Sequence, residues 1–155
     1  MTSKRARGNI LKVSAELKKN LEALGRQERF SPSQVLFHED GVNAGVFLVV
    51  KGKVRMSVRG LPQLDRVFSA GSVLGLPSTF TGHAYSLTAA ALTESDTVHV
   101  SQEDFVRLMR ERSDLCREAT EILGREVTFI QSALAERRKL MAAKKMSYSE
   151  APVLM

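Results

Sequence analysis

Three histidines, His38, His83 and His99, and one cysteine, Cys116, are the side chains best suited to hold a metal or act as a nucleophile. Their spacing argues against both roles. Zinc sites draw three or four ligands from closely spaced motifs, and these histidines are scattered along the chain. They read as surface or barrel-rim side chains that titrate with pH. A lone cysteine excludes an intrachain disulfide and any multi-cysteine metal site. Cys116 itself reads as a buried structural thiol, with a redox role as the alternative. No Ser-His-Asp, Walker or dinucleotide pattern stands in a suitable context, and Gly71-Ser72-Val73-Leu74-Gly75 is turn punctuation rather than a phosphate loop. The expectation is a protein without catalytic activity.

The elements that would position any site follow from periodicity. The 155 residues, 43% hydrophobic, suffice for one ordinary core. No apolar run approaches the ~18 residues that cross a bilayer, and the basic start lacks an apolar signal core, so a cytoplasmic, membrane-free protein is expected. Ile10, Val13, Leu17, Leu21 and Leu24 recur at helical steps, which predicts a helix over Asn9 to Leu24 ended by Gly25. Short β-rich runs then follow: Val35 to His38, Val46 to Lys51, Lys53 to Val58, Arg66 to Ser69 and Thr97 to Val100. Asp40-Gly41, Lys51-Gly52, Arg59-Gly60 and Ala70-Gly71 punctuate them. Such closely spaced antiparallel strands imply a jelly roll or barrel. A metal-dependent jelly-roll enzyme would need two histidines one residue apart, and His38 stands alone.

Helical spacing returns after Ser101, an N-cap followed by Glu103 and Asp104. A long helix opens at Ser113-Asp114 with two adjoining apolar stripes. One runs through Leu115, Ala119, Ile122, Phe129, Ala133 and Leu140; the other runs through Cys116, Leu123, Val127, Ile130, Leu134 and Met141. One barrel needs only one of them, so the second predicts a partner helix and a homodimer. The expected interface comprises Ile122, Val127, Phe129, Ile130, Ala133 and Leu134. Three segments result: a basic flexible tail over 1–8, one domain over 9–146 with its dimer helix at 113–145, and a flexible tail over 147–155. The net charge of +6, drawn from Lys4, Arg5, Arg7, Lys12, Lys18 and Lys19 early and Arg137, Arg138, Lys139, Lys144 and Lys145 late, reads mainly as solvated helix faces, with a polyanionic partner as the alternative.

The order of helix, glycine-punctuated barrel, short helix and long helix resembles the sensory half of CRP/FNR regulators, across roughly Leu24 to Met141. Phe37-His38-Glu39-Asp40-Gly41 is similar to that family's strand-and-turn region, and Val46 to Val54 is similar to its hairpin, with Gly52 as the turn glycine. The resemblance implies an α+β fold: an antiparallel jelly-roll β-barrel with an N-terminal helix and a long C-terminal dimerisation helix.

Cyclic-AMP-binding members of the family carry a cassette of the form F-G-E-L-A-L…P-R-A/S, whose Glu takes the ribose hydroxyl and whose Arg pairs with the cyclic phosphate. Here Leu74-Gly75-Leu76 and Ala84-Tyr85-Ser86 fall on those positions, so Glu is replaced by Leu76 and Arg by Tyr85. The family's Thr-Ser pair on the dimer helix falls on Ile130-Gln131. Ordinary cyclic-AMP binding is therefore not expected. Any pocket would be lined by Leu74, Gly75, Leu76, Ser78, Thr79, Tyr85, Ser86, Ile130 and Gln131, and Tyr85 is either a plug in the vacated phosphate site or a stacking surface for another ligand. No cofactor is required. The resemblance leaves a cyclic nucleotide open, and haem too, because some relatives hold it in this domain and His83 lies within the cassette. The few residues after the long helix predict no helix-turn-helix, so no sequence-specific DNA binding by this chain alone. The alternative function is a dimerisation partner for a DNA-binding homologue or another regulatory protein, or a haem or redox sensor.

Overall fold

A computed structural model describes the backbone of residues 10–150 and the side chains of residues 10–145. The expected tail over 1–8 and the last five residues lie outside the described part. The first helix, α1, spans Ala15–Leu24 and starts at Ser14, whose hydroxyl accepts the Leu17 N–H at 3.1 Å. It begins later than the periodicity predicts, because the backbone ahead of it is spent on the barrel edge. Val13 N–H donates to Gly71 O at 2.9 Å and Val73 N–H to Leu11 O at 3.0 Å. Leu11, Leu17 and Leu21 remain buried. Gly25 ends the helix as expected, and a Cβ there would lie 2.3 Å from Val98 Cγ1, so only glycine lets the chain turn this close to the sheet.

Eight strands follow: β1 Arg26–Phe30, β2 Val35–Phe37, β3 Val46–Lys51, β4 Lys53–Ser57, β5 Arg66–Ser69, β6 Val73–Leu74, β7 Thr88–Ala91 and β8 Ser95–Val100. They form two antiparallel four-stranded sheets in the orders β1-β8-β3-β6 and β2-β7-β4-β5. With the helices at either end this is the expected α+β jelly roll. The five predicted strand runs are present; β1, β6 and β7 are additional. Polar Arg26–Phe30 has only one face to bury, and the small residues of Thr88–Ala91 carry little β signal.

One local expectation changes. β3 and β4 do not form a hairpin; they belong to different sheets, and Gly52 is the corner between them. Its φ of +101° is left-handed, and a Cβ would stand 2.4 Å from Ser95 Oγ. Val54 and Met56 of β4 point into the core while Lys53 and Arg55 face water, and Val46 to Val49 of β3 are all buried.

A short helix, α2, spans Leu76–Thr81 between β6 and β7. After β8, Ser101 caps α3, Gln102–Glu111, by accepting the Asp104 N–H, as its sequence predicts. The last helix, α4, spans Ser113–Glu150. It begins where expected and continues through residues assigned to the flexible tail, because nothing between Met146 and Glu150 breaks a helix already propagating. Leu115, Ala119, Ile122 and Glu126 are buried, and no described residue beyond Glu126 is. The first stripe thus lies on the barrel over three turns, while the second turns outward beside it, with Cys116 and Ile130 still at the core's edge and Val127 and Met141 exposed.

Candidate functional site

Around α2 the fold assembles most of the expected pocket residues. Gly75 precedes the helix with φ +93°, Pro77 occupies its first turn, and Gly82 closes it with φ +76° and an N–H bond to Ser78 O. Leu74 and Leu76 are wholly buried in the core. Ser78 Oγ accepts the Ser86 N–H at 3.2 Å, and Thr79 Oγ1 lies 3.4 Å from the Asn43 amide nitrogen. Asn43 Oδ1 in turn accepts the Gly45 N–H at 2.9 Å.

Tyr85 sits at the centre of this group, 2% exposed. Its hydroxyl donates to Gly45 O at 2.7 Å and accepts the Ala44 N–H at 2.9 Å, so both of its functions are satisfied. Its ring stacks on Phe37 with centroids 4.0 Å apart and planes 19° off parallel. Its backbone N–H donates to Gly41 O, and its carbonyl accepts the Asp40 N–H at 2.7 Å. A Cβ on Gly75 would come within 3.3 Å of the tyrosine ring, which places that ring against the start of α2. Burial pushes the Tyr85 hydroxyl above its ordinary range, partly countered by the two backbone bonds, and keeps it a donor.

The cassette from Leu74 to Ala91 contains no lysine or arginine, and its only ionisable cation, His83, is exposed. Ser86 is exposed too. On α4, Ile130 packs at the edge of the core and Gln131 is exposed without a hydrogen bond to the cassette among the described residues. The structure thus joins Gly75, Ser78, Thr79, Tyr85 and Ser86 and leaves Gln131 apart. Sequence reasoning missed Phe37, Asn43, Ala44 and Gly45. Only Gly45 carried a signal: a loop glycine, here with φ +111°, where a Cβ would lie 2.0 Å from Val100 O.

The isolated reactive residues are not brought together. His38 and His83 are exposed. His99 stacks on Phe47 at 4.4 Å, with Nδ1 3.0 Å from Glu28 Oε2 and Nε2 against Ala44 O. Among the described residues no cluster of three His, Cys, Asp or Glu could hold a metal. Cys116 is half-buried and free.

On α4 the outward stripe leaves Val127 at 38% and Met141 at 50% exposed, with Ile130 and Leu134 half-buried. Ile122, expected at a partner interface, is 1% exposed inside its own domain and belongs to the core instead. Phe129 and Ala133 line a groove of about 460 Å³ between α4 and the turn at Pro62–Leu64. Glu126 completes the inward stripe. Its carboxylate lies 3.6 Å from Arg66 Nη2 of β5, whose guanidinium is 4.5 Å from the Phe129 ring centroid and 5.1 Å from that of Phe68.

The N-terminal segment is fastened to the same helix. Ser14 Oγ and N–H donate to the Glu118 carboxylate at 2.6 and 2.7 Å, Arg112 reaches Glu16 at 3.3 Å, and Arg125 donates to Ile10 O at 3.1 Å.

No helix of the described residues is long and apolar enough to cross a membrane. The comparisons with known proteins agree with this architecture. A solved structure from a cyclic-GMP-dependent signalling pathway that regulates bacterial phytopathogenesis is 23% identical, with a TM-score of 0.65 over 78% of this chain and 96% of that one. The Thermus thermophilus catabolite activator protein is 18% identical, with a TM-score of 0.55 over 88% of this chain and 61% of its own. Oxidised CprK in complex with o-chlorophenolacetic acid is 14% identical, with a TM-score of 0.65 over 94% and 64%. This chain spans less than two thirds of the latter two, and at these identities the likeness carries the fold alone. No curated protein matches the chain. A family model does, the cyclic nucleotide-binding domain, over residues 27–112. That is more than half of the chain, which belongs to the cyclic nucleotide-binding domain family.

Proposed function

We propose that this chain is a non-catalytic regulatory module whose cassette is closed to the usual cyclic-nucleotide grip and whose output is the pairing of α4 with a second helix. The observation that carries the reading is the seat of Tyr85, stacked on Phe37 and bonded to Ala44 and Gly45. A ligand entering against α2 would have to displace that ring and break both bonds. It would then meet Leu76 where relatives offer a carboxylate, and no cation for its phosphate. Hydrogen bonds to charged groups contribute about 1.5 to 3 kcal/mol each, so losing two weakens affinity roughly a hundredfold to ten-thousandfold.

The exposed stripe through Val127 and Met141 supports the pairing. A change in the seating of α4 on the barrel would shift the population of paired arrangements. Thermal unfolding with and without millimolar cyclic AMP or cyclic GMP tests the closed cassette. The expected melting temperature is unchanged, and a rise of several degrees overturns the reading, because a ligand of the folded state alone stabilises it. Sedimentation at micromolar concentration tests the pairing, with a dimer expected. The charges at the far end of α4 favour a second reading, in which the paired chain is a homologue rather than a copy.

A further inference from the structure

The outward stripe of α4 does not stop where its apolar residues do. It steps by threes and fours through Leu123, Val127, Ile130 and Leu134 and continues in the same register through Arg137, Met141 and Lys144. In heptad terms Val127, Leu134 and Met141 share one core position, and Leu123, Ile130, Arg137 and Lys144 share the other. Arg138 and Lys145 occupy the flanking position beside the latter. The end of the seam therefore carries four cations and no carboxylate, since Glu136 lies off it. Arg137 is half-buried and the other three are exposed.

In a parallel pair about a two-fold axis, each core residue meets the same residue of the second copy. Arg137 would then face Arg137, and Lys144 would face Lys144. Like charges placed opposite each other work against self-pairing, whereas opposite charges at such positions choose partners.

We propose that Arg137 and Lys144 are partner-selecting residues: they disfavour a second copy of this chain along the end of α4 and fit a homologous helix that carries Asp or Glu at the two facing positions. The proposal rests on the reading that α4 pairs in parallel through its outward stripe. A helical partner suits these side chains better than a phosphate backbone does. Met141 lies between the two cationic core positions and Leu140 beside them, both about half exposed, and apolar side chains gain from a facing helix and nothing from phosphate.

The test uses the full chain and its R137E/K144E double variant, given different masses by a tag, mixed and followed by native mass spectrometry. The substituted positions are outside the barrel core, and equal melting curves by circular dichroism confirm that both chains fold. At equimolar mixing the square of the mixed-dimer concentration, divided by the product of the two homodimer concentrations, should exceed its random-pairing value by about tenfold or more. The neutral R137Q/K144Q variant should pair with itself more tightly than the wild type does.

Dimers of binomial composition overturn the selection and leave the pairing intact. Monomers in every mixture overturn the pairing itself, and the selection with it. Anisotropy with a labelled 20-base-pair duplex supplies the competing outcome. If the wild type binds it with salt-dependent affinity that R137Q/K144Q loses, while dimer composition stays binomial, the cations serve nucleic acid and the proposal falls.

Discussion

Glu126 of α4 and Arg66 of β5 face each other at 3.6 Å with both side chains sealed from water. This is the one buried ion pair among the described residues that ties the long helix to the barrel. Burial pushes the Glu126 carboxyl from its ordinary 4.5 up to about 7, with Arg66 opposing the rise. Between those values the folded protein keeps a proton that the unfolded chain has released, so stability falls as pH rises through the window. Glu126→Gln should flatten that part of the profile, measured by urea unfolding at pH 5, 6, 7 and 8. Arg66→Met strands a buried carboxylate and should cost about 3 to 5 kcal/mol at pH 8, and less at pH 5, where the carboxyl holds its proton.

Tyr85→Phe keeps the stack on Phe37 and removes only the hydroxyl. The Ala44 N–H and Gly45 carbonyl then lose their partner, for an expected loss of about 1 to 3 kcal/mol in urea unfolding. Tyr85→Ala adds a cavity and should cost about 3 to 5 kcal/mol. If the phenylalanine variant matched the wild type, the hydroxyl would not be anchoring the loop.

Gly124 lies inside α4, is exposed, and has nothing within 4 Å of the position a Cβ would take. Gly124→Ala should therefore stabilise the folded chain by about 1 kcal/mol, the helix-propensity difference, read as a higher melting temperature. A destabilised alanine variant would mean that another surface approaches the helix closely there.

Ser14→Ala removes the cap of α1 and one of its two bonds to Glu118. Loss of the cap should cost about 1 kcal/mol. Hydrogen exchange should rise in the first turn of α1 and around Glu118, and a response confined to α1 would show that the link to α4 carries no stability.

How much of this was legible in the sequence depended on whether a residue's role was local. Ser101 with its following acids announced α3, and Gly25 announced the end of α1, because caps act over a single turn. The start of α1 was misplaced because residues 11–13 pair with residues 71–73, a long-range bond that helical spacing does not see. Gly52 marked a turn in the sequence, but whether its strands pair or part between sheets depends on the whole barrel. The exchange of Arg for Tyr85 was readable as lost chemistry, while Phe37, Ala44 and Gly45 became its partners only through folding. Glu126 could have been found: it fills the gap between Ile122 and Phe129 on the inward stripe, and an acid on an apolar stripe asks for a buried cation.

Because α4 is last buried at Glu126 and last packed on the core at Ile130, its remaining length can act as a lever with its fulcrum near Ile130. From Ile130 to Lys145 the arm measures about 22 Å at 1.5 Å per residue, so a tilt of about 13° at the base sweeps its tip through roughly 5 Å. Such a sweep is comparable to one helical turn, enough to carry Lys144 from one facing residue to the next. A rearrangement too small to notice among the strands would thus be written large at the far end.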